Sequence, residues 1–141
     1  MKSNSSRSLF FALVIFLVGS YSHGEMGLPS LKDNMSSMGT LVNGIAKGMN
    51  DVTTYSKSVA SAEDIRKLLE VIVTQVPDSI EAMNKSKQAS ELLIFQGLIT
   101  QVEGLDIQLA GALENGDKVM VTGVLNDMLA LKKKGHDRFK L

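Results

Sequence analysis

The sequence predicts an all-α protein, an up-down-up-down antiparallel four-helix bundle, and three observations lead there. The 141 residues include no tryptophan, few aromatics and two prolines, while Leu, Val, Ile, Met and Ala recur throughout, a composition that favours helices over strands. Apolar residues step by three and four in separate runs, the period of a helical face. The connections between those runs are short enough to make successive helices antiparallel neighbours.

The first segment, "MKSNSSRSLFFALVIFLVGSYSHG" (1–24), has Lys2 and Arg7 ahead of an uninterrupted apolar run from Leu9 to Val18 and small residues after it. That order is the order of a secretory signal peptide, and the run is too short for the ~20 residues of a spanning helix. Residues 1–24 are therefore expected to be removed on export to the periplasm, leaving 25–141 as one domain with no membrane span. Loss of Lys2 and Arg7 leaves 13 basic residues against 15 acidic ones, and this mildly acidic balance excludes a strongly basic nucleic-acid-binding domain. The chain has no cysteine, which excludes disulfide staples, a thiol nucleophile, Cys-based zinc or iron–sulfur sites and the C-x-x-C-H of covalent haem attachment.

The first helix is predicted over 31–49, where Leu31, Met35, Met38, Val42, Ile45 and Met49 form one stripe, with Pro29 in or before its first turn. "DVTTYSKSVAS" (51–61) lacks a helical period and reads as a loop. Ser61 and Asp64 then make an S-x-x-D capping pattern before Ile65, Leu68, Leu69, Ile72 and Val76, and Pro77 ends that second helix. "PDSIEAMNKSKQAS" (77–90) is a second connection with room for one helical turn. The third helix carries Phe95, Leu98, Val102, Leu105, Leu109 and Ala112 and closes at Asn115-Gly116. Asp117 caps the fourth, whose inward face is expected to hold Val121, Leu125, Met128, Leu129, His136 and Phe139.

This topology sets the start of the first helix beside the end of the last. Met35 and His136, 101 positions apart, are then brought to a common level, and His136 is the only histidine after residue 24. A thioether and an imidazole facing each other across a bundle can ligate one haem iron from both sides. With both axial positions filled by protein, the chemistry left is one-electron transfer. Met38, one turn from Met35, is the competing sulfur ligand. Methionine on such a stripe is otherwise ordinary core filler, and a histidine near a C-terminus an ordinary surface residue.

"LKDNM" (31–35), "ENGDK" (114–118) and "GHDRFK" (135–140) resemble segments of the cytochrome b562 family, and the resemblance covers nearly the whole of 25–141. That family is itself an up-down-up-down bundle, so the resemblance and the fold expectation are not independent. It implies a periplasmic electron-transfer protein holding one non-covalent haem b, with Met35 and His136 as axial ligands and Phe95 packed on the porphyrin. Lys132 stands where family members often carry an arginine and is expected beside the haem; Gly135 and Ile99 replace aromatics, which predicts a looser pocket. The redox donor and acceptor are left open.

"KKKGHDRFK" (132–140) gathers five basic residues near that site, cations that complement a helix C-terminus, meet haem propionates or steer an acidic partner. Gly97, Gly104 and Gly111 recur every seven residues, on an exposed face or at a close helix approach. No catalytic triad, paired acids or phosphate loop points to an enzyme. The rival reading is a haem-free periplasmic bundle acting as chaperone or adaptor through an exposed apolar patch, and a third is copper handling through Met35 and Met38.

Overall fold

A computed structural model describes residues 29–49 and 51–141; the expected signal peptide, residues 1–24, lies outside them. The described chain is all-helical. It comprises α1 (Leu31–Gly48), a 3-10 turn (Val52–Thr54), α2 (Tyr55–Ile72), the single turn α3 (Asp78–Glu81), α4 (Lys85–Glu114) and α5 (Lys118–Phe139). α1 packs on α2, α2 on α4 and α4 on α5, while α5 meets α1 more lightly. No helix among the described residues is long and apolar enough to cross a membrane.

α1 begins on a reciprocal cap. The Asp33 backbone N–H donates to Ser30 Oγ at 3.1 Å, and the Ser30 N–H and hydroxyl both return to Asp33 Oδ2, satisfying donors that a helix start otherwise leaves free. Those bonds from Ser30 hold the Asp33 carboxyl below the usual carboxylate range. Met38, Val42, Ile45 and Met49 are buried along the predicted stripe, with Leu31 and Met35 packed against it.

The loop expected over 51–61 is mostly helix, because α2 starts at Tyr55. Its buried stripe is Ser58, Ala62, Ile65, Leu69 and Ile72, which keeps the three-four step but opens on two small residues. Ser58 tolerates burial by donating its hydroxyl to the Thr54 carbonyl at 3.3 Å, one turn back. Ser61 and Asp64 therefore lie inside the helix and make no cap; Asp64 meets Lys67 instead, at 3.3 Å. The C-terminus of α2 comes at Ile72, earlier than Pro77. Thr74 Oγ1 takes the Val71 carbonyl at 2.7 Å, and Val76 sits beyond the last turn.

α3 is the helical turn anticipated in the second connection, anchored by buried Ile80. The rest of that connection is shorter than expected, since Lys85–Ser90 form the first turns of α4. These residues are mostly exposed, so they carry no apolar period. The α4–α5 turn agrees with the sequence: Gly116 adopts φ +70°, open to glycine without steric cost, and the Met120 N–H donates to Asp117 Oδ1 at 2.9 Å. Phe95 of α4 meets Phe139 of α5 edge to face, with centroids 5.5 Å apart, a favoured aromatic geometry.

Candidate functional site

The lightly packed seam between α1 and α5 holds the residues singled out from the sequence. Met35, half-buried on α1, and His136, exposed on α5, line one open cleft of about 260 Å³ together with Lys132 and Leu141. Behind it lies an apolar cavity of about 30 Å³ whose walls include Met35, Met38, Phe95, Ile99, Met128 and Gly135. That is room for about two waters, in surroundings with nothing to hold them. Met35, Lys132 and Leu141 line both spaces, so they form the partition between cleft and cavity.

His136 is not on the inward face of α5, nor is Leu129, which is 42% exposed. The inward line of α5 runs through Val121, Val124, Leu125, Met128, Gly135 and Phe139. Each helical residue turns about 100° from the last, so His136 and Leu129 sit that far round from Gly135 and Met128. The same rotation that takes His136 out of the core puts it on the rim of the cleft that Met35 lines.

Phe95 is buried in the cavity wall and already engaged with Phe139. Met38 is buried more deeply than Met35 and faces the cavity but not the outer cleft, which separates the two sulfurs by position: only Met35 shares a space with His136. Ile99 and Gly135 both lie in the cavity wall. A Cβ at Gly135 would meet only Leu141 Cδ1, at 4.0 Å, so Leu141 covers the ground left bare by glycine.

Two of the five basic residues of 132–140 are engaged. Lys133 Nζ donates to Asp137 Oδ2 at 2.6 Å; that bond first, then the charges of Lys133, His136 and Lys140, keep the Asp137 carboxyl below its ordinary range. Arg138 holds Glu91 with two bonds, Nε to Oε2 at 3.0 Å and Nη2 to Oε1 at 2.8 Å. This fork ties the end of α5 to the start of α4, and the Glu91 bond raises the arginine above its usual value. Ser79 Oγ donates to the Phe139 carbonyl at 2.7 Å, fixing the same end to α3. The last turn of α5, which carries His136, is thus anchored on the α3–α4 side.

The sequence reading missed two features. Asp106 of α4 is 1% exposed, with Oδ2 3.4 Å from Arg66 Nε of α2 and neither oxygen in a well-formed hydrogen bond. It falls on the step Phe95, Ile99, Val102, Asp106, Leu109, Leu113, all buried, and that step is the signal that could have revealed it. The second is Gly39, which is buried on α1 beneath the Lys132 side chain. Added Cβ atoms at Gly97, Gly104 and Gly111 meet nothing within 4 Å, so these glycines serve no close approach within the described chain.

Among the described residues no three His, Cys, Asp or Glu side chains gather as a metal-binding group. No protein-family model, curated protein or solved structure matches this chain. The functional reading therefore stands on the residues themselves.

Proposed function

We propose that the chain is a periplasmic electron-transfer protein, an up-down-up-down bundle of α1, α2, α4 and α5 holding one non-covalent haem b between Met35 and His136. The observation that carries this is the shared cleft: a half-buried thioether and an accessible imidazole, far apart in sequence, line one space backed by apolar walls. A thioether and an imidazole are donors that would hold a haem iron, and Phe95, Ile99 and Met128 supply apolar wall beside them. When bound, such a haem supplies a reversible one-electron change at iron. Met35, a soft thioether donor, would favour the reduced state of such an iron.

The inner cavity is too small for a porphyrin as it stands. Entry requires α1 and α5 to part, and theirs is the lightest contact among the long neighbouring helices. The α5 terminus is anchored by Arg138–Glu91 and Ser79–Phe139, and the start of α1 by Asn34 and the Pro29 carbonyl, which both bond Gln75.

The test is the absorption spectrum of the purified protein titrated with haemin, oxidised and dithionite-reduced, beside Met35→Ala and His136→Ala. Sharp low-spin bands in the wild type that turn high-spin in both variants are expected. A free-haem spectrum in the wild type would refute haem binding.

A second reading is favoured by Leu93 and Ile107, 69% and 65% exposed on α4: a haem-free bundle that docks partner proteins through these exposed apolar side chains. It predicts that Leu93→Lys with Ile107→Lys abolishes partner binding, whereas His136→Ala has no consequence.

A further inference from the structure

α4 turns an apolar side to solvent. Between Leu92 and Leu113 it has two charged side chains: Asp106 is sealed in the core and Glu103 is half-buried. The exposed side of neighbouring α2, by contrast, carries Glu63, Asp64, Lys67 and Glu70. Directly opposite buried Phe95, Val102 and Leu109, the residues Leu93, Gly97, Thr100, Gly104, Ile107 and Gly111 follow one another in steps of four and three, the spacing of a second helix-packing seam. Nothing in the described chain covers it. Leu93 and Ile107 stand largely exposed, and Cβ atoms added at the three glycines meet nothing within 4 Å. Each glycine costs about 1 kcal/mol relative to alanine inside a helix, and an exposed apolar side chain gains nothing from folding. A partner with notches where this seam has bulk, and bulk where it has notches, accounts for both.

We propose that this partner is a second copy of the chain, with the two α4 helices packed antiparallel about a two-fold axis at the level of Val102. In that register Leu93 faces Gly111 of the other copy, Ile107 faces Gly97 and Thr100 faces Gly104, each fit being made twice by symmetry. Sliding one helix by seven residues either way leaves only one of Leu93 and Ile107 opposite a glycine. Parallel pairing sets glycine against glycine and Leu93 against Leu93, which alternates voids with crowded layers. The charges agree with the antiparallel register: Lys87 comes beside Glu114 and Asp117 of the other copy at both ends of the pair, and none of the three makes an ion pair among the described residues. Glu103 opposes association, because it lies next to the axis and meets its own copy.

From Leu93 to Gly111 the seam is about 27 Å long. One helix pair of this length lies at the low end of specific interfaces, so the dissociation constant is expected in the micromolar range. The inference does not rest on the haem reading, since this face of α4 points away from the cavity that Phe95 and Val102 line.

Sedimentation velocity of the purified protein, from micromolar to millimolar concentration, tests the pairing. The wild type is expected to pass from monomer to dimer over that range. Leu93→Ala removes the bulk and Gly111→Leu fills the notch, and each is expected to weaken association about tenfold or more. Combined in one chain they put a small side chain opposite a large one again, so the double variant is expected to return to within about threefold of the wild type. Both substitutions lie where the monomer has no neighbour to disturb, so the fold is retained, and far-UV circular dichroism with the unfolding midpoint of the dilute monomer checks it. Glu103→Gln removes the repulsion at the axis and is expected to tighten the dimer about threefold. The proposal is overturned by a wild type that stays monomeric throughout, by a dimer indifferent to Leu93→Ala and Gly111→Leu, by a double variant that recovers nothing, or by Glu103→Gln failing to tighten association.

Discussion

α2 and α4 meet along a seam that buries a charge, whereas α1 and α5 meet along one that buries a cavity. In the first, Asp106 is sealed among apolar neighbours and Arg66 reaches it from a half-exposed position. Sliding or opening these helices would strand the carboxylate in apolar surroundings, a large penalty for a group already lacking good hydrogen bonds. In the second, apolar walls face each other across an incompletely filled space, and Lys132, the charged side chain among the described residues lining it, is exposed. Among the described residues no ion pair joins α1 to α5. The contrast separates a seam that defines the arrangement of helices from one that can admit a ligand.

The comparison breaks most severely if the wall common to both halves of the core is cut. Phe95 is fully buried, packs on Phe139 and lines the cavity, so Phe95→Ala is expected to lower stability by about 3 kcal/mol, read from urea unfolding. The value sits at the low end for a large aromatic because the neighbouring space lets the seam collapse inward. A loss of less than about 1 kcal/mol would mean that the seam is already collapsed around an idle ring.

The next largest effect lies at the charged seam. Arg66→Met leaves the Asp106 carboxylate without its counter-charge, at an expected cost of about 2 kcal/mol near neutral pH, below the range for fully buried pairs because Arg66 is half exposed. Asp106→Leu removes the buried charge itself and is expected to be neutral or stabilising. If both substitutions destabilise equally, the pair contributes net stability and the contrast between seams is wrong.

Titration sharpens the same point. Burial pushes the Asp106 carboxyl above its ordinary value, with Arg66 opposing; the native state therefore holds that proton more tightly than the unfolded chain does. Its contribution is fully present below the unfolded value and is lost as pH rises through the native one. Asp33, Asp51 and Asp137 are shifted downward, mainly by hydrogen bonds from Ser30, Thr53 and Lys133. They act with the opposite sign, stabilising above the unfolded value and losing that contribution as pH falls. The wild-type profile sums both trends, so the expected signature is the difference from Asp106→Asn. From pH about 3 to about 7, wild-type stability should decline relative to the variant; a flat difference would show that Arg66 cancels the effect of burial.

Legibility in the sequence followed the same division. Helix periods were readable wherever a stripe is purely apolar, as in α1 and the middle of α4, and turn chemistry identified Gly116 and Asp117. The start of α2 was not readable, because Ser58 and Ala62 stand where a period search expects large apolar residues. The exposed first turns of α4 have no stripe to read. Asp106 was passed over because a charge on a stripe reads as solvent-facing until a partner such as Arg66 is placed beside it from another helix. Met35 and His136 were expected at a common level facing each other across the core; both line one surface cleft, but His136 is exposed, since one residue's rotation near a helix end exceeds what a three-four pattern resolves. Gly39 gave no signal at all; only the Lys132 side chain lying on it sets it apart.

The smallest effect distinguishes room from propensity. Gly135→Ala and Gly111→Ala both replace a helical glycine whose added Cβ meets nothing closer than 4.0 Å, and each should gain up to about 1 kcal/mol from helix propensity. Gly135 lines the cavity and Gly111 does not. If the α1–α5 seam is the entry site, Gly135→Ala takes part of the space behind Leu141 and slows uptake of a porphyrin, while Gly111→Ala stabilises the fold equally and leaves uptake unchanged. Equal uptake in the two variants would place entry elsewhere on the molecule, because a methyl group added to the wall of so small a cavity cannot be neutral to whatever must pass through it.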